Sequence, residues 1–357
     1  MTHLHAYAKW LENENLDWWH FPVKASERCL VRFRGSLMDS IEKNGISGST
    51  AQQRMAAVIR FYRWLLSAGL LSAERPLWRD SQISIRITDS FGLHRTINKN
   101  SSDLTIKNRV AIGFNLEDGL MPIANDDVIK ILKFSDEHAS VELAMMLRLG
   151  FGTGMRIGTI SDLKVETINR AVPLIGIPGL YCIAVGPGAH PPVHTKFAIT
   201  GQIWISEADL SELRKYIFST RRLIRQAQAL PNHRDNIFLT RYGNPYSPQE
   251  GSTSKAINVE IGRLRELGSK EGVSAFYNFR FHQTRCTFAT ELARLALQHG
   301  NPSIALSLVK QALLHKNEST TLKYIKFVEN TEVMGKISDE FTRKFLGLIS
   351  YTGTPNS

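Results

Sequence analysis

The sequence predicts a mainly α-helical protein with a small β-sheet, divided into two domains. Three observations carry this reading. The chain has 357 residues, more than the roughly 250–300 at which a single hydrophobic core stops growing. Apolar residues recur at helical spacing through most of its length. Runs rich in Val, Ile and aromatic residues, punctuated by Gly and Pro, concentrate in residues 172–206.

Taken in order, residues 5–40 read as helical with a break near "HFPV". The segment "SGSTAQQRMAAVIRFYRWLLSAGL" predicts a helix capped by Ser49 or Thr50, with Gln52 or Gln53 at the capping-box position and Gly69 at its end. Met55, Val58, Ile59, Tyr62, Leu65 and Leu66 form its apolar face. Arg54, Arg60 and Arg63 are interleaved with that face and are candidate DNA contacts, although such arginines more often form a solvated surface. Residues 76–115 change character. "SQISIRIT" alternates as a strand does, while "INKNSSDLTIKNR" is polar, basic and turn-rich, so the stretch reads as a strand-containing excursion into an interdomain linker.

Helical pattern resumes at "IANDDVIKILKF", with Asn125 or Asp126 as cap, and "HASVELAMMLRLGFGTGMR" predicts a buried helix running into a glycine turn. Residues 172–206 supply the strands, and from Glu207 onward the chain is mainly helical around a loop at "RYGNPYSPQEGS". The segment "TEVMGKISDEFTRKFLGLI" predicts one last amphipathic helix. The expected divisions are residues 1–115, 116–330 and 331–357.

A formal charge of +11 and a pI near 9.6, with Lys and Arg dispersed along the chain, point to an extended polyanion as partner, nucleic acid ahead of an anionic membrane surface. No run of 18 or more apolar residues spans a bilayer, and "MTHLHAYAKWLENENL" lacks the charged and apolar regions of a secretory signal. Cys29, Cys182 and Cys286 are odd in number and far apart, matching neither a disulfide framework nor zinc spacing. A cytoplasmic location is expected. No P-loop or dinucleotide fingerprint is present.

The stretch "FHQTR" places His282 and Arg285 three residues apart, on one face of a helix. Alone the pair fits a capped helix whose Arg binds a carboxylate. Two further fragments change its meaning. In "GTGMRIGTISDLKVETI", Arg156 follows a glycine turn and enters a helix. In "LVKQALLHKNESTTLKYIKF", His315 stands nine residues before Tyr324.

The three fragments, in this order, resemble the active-site segments of the tyrosine recombinases, the phage-integrase-like site-specific recombinases. That family carries "TGxR" before a helix, then "HxxR", then "LGHxxxxxTxxxY". Here these read Thr153-Gly154-Met155-Arg156, His282-Gln283-Thr284-Arg285, and Leu313-Leu314-His315 with Thr320 or Thr321 ahead of Tyr324. The resemblance covers about residues 120–330 and extends loosely to residues 1–100. It implies an N-terminal helical, SAM-like core-binding domain and an α/β catalytic domain. It also implies site-specific cleavage and rejoining of double-stranded DNA through a 3′-phosphotyrosyl intermediate, without metal, ATP or other cofactor. Four protomers on two recombination sites, with accessory DNA-bending proteins and no membrane, are the implied partners.

By the same resemblance Tyr324 is the nucleophile, and Lys196, at the start of a strand in "VHTKFAITGQIWI", is the acid toward the 5′ oxygen. Lys164 competes for that role. Phosphate chemistry suits the remaining residues. Arg156 and Arg285 offer planar forks for non-bridging oxygens, His282 a proton acceptor and His315 a further donor. Taken singly, Arg156 reads as a structural helix-terminus residue, Tyr324 as a half-buried core tyrosine, His315 as a helix cap and Cys286 as a small buried hydrophobe. Three positions depart from the family pattern: Thr159 replaces the usual acidic partner of the first Arg, Leu314 the Gly of "LGH", and Cys286 a second His. Asp162 is a candidate to orient Arg156 in place of Thr159. Two other functions share the fold: a type IB topoisomerase-like nicking-closing enzyme, and a non-catalytic DNA-binding protein.

Overall fold

Separate stretches of the chain build separate hydrophobic cores. The computed structural model describes residues 2–72, 76–88, 94–107, 116–246 and 255–345, in two compact units, residues 1–112 and 113–357. The expected linker residues 108–115, the loop residues 247–252 and the tail residues 346–349 lie outside the described residues.

In the first unit, helices α1 (Thr2–Asn13), α2 (Cys29–Glu42) and α3 (Gly48–Ser67) enclose a core of Tyr7, Leu30, Phe33, Met55, Val58 and Tyr62. The cap of α3 is Ser47, two residues before Ser49 and three before Thr50, the expected caps. The hydroxyl of Ser47 accepts from the Thr50 amide at 3.2 Å and satisfies one of the donors a helix start leaves open. Gly69, at φ 69°, ends it in the left-handed conformation. Leu66 is exposed rather than part of the apolar face, because it follows Leu65 by 100° of helical rotation.

A hairpin of β1 (Asp80–Thr88) and β2 (His94–Ser102) follows, antiparallel with Asp80 opposite Ser102 and Thr88 opposite His94. The first part of the segment expected to be turn-rich, residues 97–102, is thus strand, and a turn follows it. Alternation marks strands with one apolar face, whereas β2 is polar and held by its main-chain ladder to β1.

The second unit opens with a single 3₁₀ turn, Glu117–Gly119. Helices α4 (Asn125–His138), α5 (Val141–Thr153), α6 (Ile157–Ser161) and α7 (Val165–Asn169) precede the sheet β3 (Val172–Pro173), β4 (Leu180–Val185) and β5 (Gly201–Ser206), antiparallel in that order. Then come α8 (Glu207–Ile217), α9 (Thr220–Gln228), α10 (Lys255–Lys270), α11 (His282–His299), α12 (Pro302–Leu313) and α13 (Glu318–Phe345). Asn125 and Asp126, expected as caps, are the first helical residues of α4. Ala124 precedes them without a side-chain cap, and Asp126 and Asp127 face the positive end of the helix dipole instead.

Sheet residues Ile183, Val185, Ile203 and Ile205 share one core with Met146 and Leu147 of α5. A second core joins α11, α12 and α13 through Cys286, Ala289, Ala293, Val309, Leu313, Tyr324 and Ile325. Small residues let these helices approach. At Gly150, an added Cβ would lie 2.6 Å from the Thr284 hydroxyl of α11, so α5 and α11 meet nearly backbone to backbone. The separate last helix expected after residue 330 is instead the continuation of α13, a single 28-residue helix that also carries Tyr324. No proline interrupts it.

Helix α9 is inverted, with Arg222 and Arg225 buried while Leu223 and Ile224 are exposed. The two arginines satisfy interior carbonyls, Arg222 those of Arg234 and Asn236 and Arg225 that of Leu239. The fully buried carboxylate of Glu142 draws in Arg221 at 2.8 Å, Arg225 at 2.7 Å and the Tyr216 hydroxyl at 2.7 Å.

Candidate active site

Two of the three sequence fragments are delivered to the site by a left-handed turn, and the third lies on the first turn of α11. Gly154 closes α5 at φ 65°, and a Cβ there would lie 2.4 Å from Phe288 and 2.8 Å from Leu313. Both the backbone conformation and the crowding therefore require glycine. The turn sets Arg156 at the start of α6 and aims the Gly154 carbonyl at Arg285.

Arg285 is 2% exposed. Its Nη1 donates to the Gly154 carbonyl at 2.7 Å and its Nη2 to the Leu313 carbonyl at 2.8 Å, so it ties the ends of α5 and α12 to α11. Its Nε is buried without a hydrogen-bond partner. Burial, with Arg156 nearby, lowers its pKa to about 10. The residue expected to grip phosphate with a full fork therefore spends one N–H of each terminal nitrogen on holding the turns in place, and keeps its Nε–H and its charge for other work.

His315 follows a Schellman-type end to α12, in which the Leu314 amide bonds the Gln311 carbonyl at 3.1 Å and the His315 amide the Lys310 carbonyl at 3.1 Å. Leu314 occupies the left-handed position at φ 50°, where its family counterpart is glycine. Its side chain lies where a Cβ on Gly201 would be, 2.4 Å from that point, so a glycine on β5 accommodates the missing glycine of the turn. His315 Nδ1 pairs with the Thr321 hydroxyl at 2.9 Å, which identifies Thr321 rather than Thr320 as its partner. Burial, reinforced by Arg285 and Arg156, holds the His315 pKa below its ordinary value, although Glu117 opposes this.

Glu117, from the 3₁₀ turn, was not legible as a site residue. Its Oε2 lies 3.2 Å from His282 Nε2 and 3.9 Å from Arg156 Nη2, and its Oε1 lies 3.0 Å from His315 Nε2. Burial alone would raise its pKa. His282, His315 and Arg285 outweigh that and hold the carboxyl well below the usual range. Asp162, the candidate to orient Arg156, has one oxygen on the Lys164 ammonium at 2.7 Å and the other on the His194 amide at 2.7 Å. Glu117 also faces Arg156. Nothing in the sequence marked it, since it is an isolated acidic residue on the polar approach to α4.

Tyr324 is fully buried, its ring stacked on His315 with centroids 5.9 Å apart and planes 17° from parallel. Burial pushes its phenol pKa up, as do Cys286 and Glu117, against the opposing charge of Arg285. Lys196 lies on the β4–β5 connection, exposed, its ammonium 5.3 Å from the Phe197 ring centroid. No described contact joins it to the Glu117 cluster. Lys164 is engaged by Asp162 and by the Asn236 amide oxygen at 3.1 Å.

On α3, Arg60 and Arg63 are neighbours three residues apart, whereas Arg54 lies on the opposite side of the helix from Arg63. Arg63 pairs with Asp80 at 2.6 Å and sits over the Trp78 ring, and Arg60 Nε bonds the Ala56 carbonyl of its own helix at 3.3 Å. Among the described residues no group of His, Cys, Asp or Glu is placed to hold a metal ion, and no helix is long and apolar enough to cross a membrane.

The fold is similar to that of solved integrases. The Tn1549 transposon integrase in complex with transposon right end DNA aligns with a TM-score of 0.51 at 15% identity, over 94% of this chain and 93% of that one. The lambda integrase dimer (residues 75–356) bound to a COC′ core site gives 0.48 at 13% identity, over 91% and 87%. A lambda integrase tetramer bound to a Holliday junction gives 0.46 at 12%, over 91% and 71%. No curated protein matches the chain. The profile of the phage integrase family matches residues 122–330, more than half of the sequence and the span containing Arg156, His282, Arg285, His315 and Tyr324. The chain belongs to the phage integrase family, the tyrosine recombinases.

Proposed function

We propose that the chain cuts, exchanges and rejoins double-stranded DNA at specific sites, with Tyr324 as nucleophile. One observation carries the reading. His282, His315 and Arg156 each present a nitrogen to one largely enclosed carboxylate, with the charge of Arg285 acting on it as well. A space that holds two anionic oxygens among these donors is suited to the non-bridging oxygens of a phosphodiester, and to the greater charge of its pentacoordinate transition state.

In this mechanism the Tyr324 oxygen attacks phosphorus and the bond to the 5′ oxygen breaks. The phenol proton passes to a neighbouring base, for which His282 is the candidate, and Lys196 protonates the leaving oxygen. The covalent phosphotyrosine retains the phosphodiester energy, so a second 5′ hydroxyl can reverse the step without ATP. Arg156 supplies a guanidinium fork, and Arg285 contributes charge, its Nε and the positions of both turns. Lys196 is exposed on a strand connection, where a DNA backbone can meet it. The basic charge, and Arg54 and Arg60 of α3, support contact with the rest of the duplex. Arg63, already paired with Asp80, is the weakest of the three candidates.

Assembly as a tetramer on a Holliday junction, the state recorded for lambda integrase, is the arrangement this reading extends to the chain, in the cytoplasm and with accessory DNA-bending proteins. Family membership favours recombination over nicking and closing alone or DNA binding without cleavage.

A DNA substrate whose bridging 5′ oxygen is sulfur separates the roles, because that group leaves without an acid. Lys196→Ala should regain cleavage on it, Arg156→Ala only poorly and Tyr324→Phe not at all. Equal loss in Lys196→Ala on both substrates would remove Lys196 from the acid role.

A further inference from the structure

We infer that Glu117 is an internal stand-in for the scissile phosphate: in the DNA-free protein its carboxylate fills the space formed by Arg156, His282 and His315, and DNA must displace it. The inference rests on the reading of that space as the phosphate site.

The geometry makes the two anions alternatives. Glu117 faces these groups with both oxygens: Oε2 is hydrogen-bonded to His282 Nε2 at 3.2 Å, while Oε1 lies 3.0 Å from His315 Nε2 without hydrogen-bond alignment, and Arg156 Nη2 is 3.9 Å from Oε2. These are the groups that phosphate would need. His315 has no second nitrogen to offer, since Nδ1 is committed to Thr321. A phosphodiester beside an ionised Glu117 would also place two like charges in one nearly dry site.

The segment that delivers Glu117 is suited to withdrawal. It is a short 3₁₀ turn closed on itself by three main-chain bonds, Leu116 amide to Leu120 carbonyl at 3.2 Å, Gly119 amide to Leu116 carbonyl at 3.3 Å and Leu120 amide to Glu117 carbonyl at 3.1 Å, so it can move as a unit. Its anchor, Leu116, packs in the same core as Cys286 and Tyr324. Retraction of Glu117 and release of Tyr324 thus draw on one set of contacts, and loss of the carboxylate also removes an anion that opposes formation of the Tyr324 phenolate.

Two measurements on the full chain test this. Glu117→Ala leaves the cationic groups facing one another, so its Tm should fall. Added inorganic phosphate should then raise it by about 2 °C or more, relative to sodium chloride of equal ionic strength. Wild type, with the space already filled, should show no such response. An equal phosphate response in both proteins, or none in Glu117→Ala, would overturn the inference.

The second measurement uses Glu117→Gln, which keeps the shape and removes the charge. At DNA concentrations below saturation it should form covalent adduct on a nicked duplex up to about ten-fold faster than wild type, as when a competent state populated about one time in ten becomes dominant. Slower adduct formation would make Glu117 a working part of the site and overturn the inference. If wild type forms no adduct while Glu117→Ala gains phosphate binding, the recombinase reading fails and the internal anion stands.

Discussion

The phenol oxygen of Tyr324 lies 3.9 Å from the thiol sulfur of Cys286, within a core that leaves the tyrosine no exposure. The proposed nucleophile is therefore stored beside a small polarisable side chain, in the position where many family members carry a second histidine. Cleavage requires it to leave this pocket.

Storage predicts chemical protection. Nitration of tyrosines in the DNA-free protein should modify the exposed Tyr242 and Tyr277 and spare Tyr324, whose burial both blocks the reagent and disfavours the phenolate. Peptide mapping by mass spectrometry reads the outcome. Rapid nitration of Tyr324 in the folded, DNA-free protein would contradict its placement.

Stability should depend on pH in two windows of the same sign. Burial holds the His315 pKa below its ordinary value of 6.5, so below about pH 6.5 the unfolded chain binds the extra proton and stability falls as pH falls. The Glu117 pKa lies below its ordinary 4.5, so its contribution is complete above about pH 4.5 and declines at lower pH as the unfolded carboxyl takes up a proton first. Urea unfolding between about pH 4 and pH 8 should show a plateau above neutrality and a decline on acidification. His315→Asn should flatten the upper part. A gain in wild-type stability from pH 7 to pH 6 would contradict the buried, neutral histidine.

Gly154→Ala should be severe. The left-handed backbone costs a non-glycine residue about 1–2 kcal/mol. The Cβ would also meet Phe288 at 2.4 Å and Leu313 at 2.8 Å, and overpacking typically adds about 1–3 kcal/mol. Because the Gly154 carbonyl also holds Arg285, cleavage should fall along with Tm. A variant of wild-type Tm would contradict the turn geometry.

Away from the site, Glu142→Ala should destabilise the second unit by about 3–5 kcal/mol, since it strands buried Arg225 and half-exposed Arg221. Denaturant unfolding measures this. A loss of about 1 kcal/mol or less would show that water takes over the guanidinium groups.

What could be read from the sequence divides along physical lines. Arg156, His282, Arg285, His315 and Tyr324 could be proposed because the short fragments that hold them match the motifs of one family in order and spacing, although no fragment alone carried the reading. The β-rich stretch and the buried faces of α3 and α5 were legible through their periodicity. Glu117 was not, because its role depends on contacts with residues 39 to 198 positions away that no local pattern encodes. Nor was the work of Arg285 on the Gly154 and Leu313 carbonyls, which is tertiary. The β2 strand was missed because a polar segment paired through its main chain has no apolar alternation to report.

The most direct test is covalent trapping on duplex DNA carrying the recombination site, with Tyr324→Phe as the comparison. The substitution removes one oxygen from a buried ring of nearly unchanged volume, so folding and DNA binding should persist. Wild type should yield a protein–DNA adduct whose DNA-bearing peptide contains Tyr324, and Tyr324→Phe should yield none. An adduct in Tyr324→Phe, or attachment in wild type to any other residue, would contradict the account.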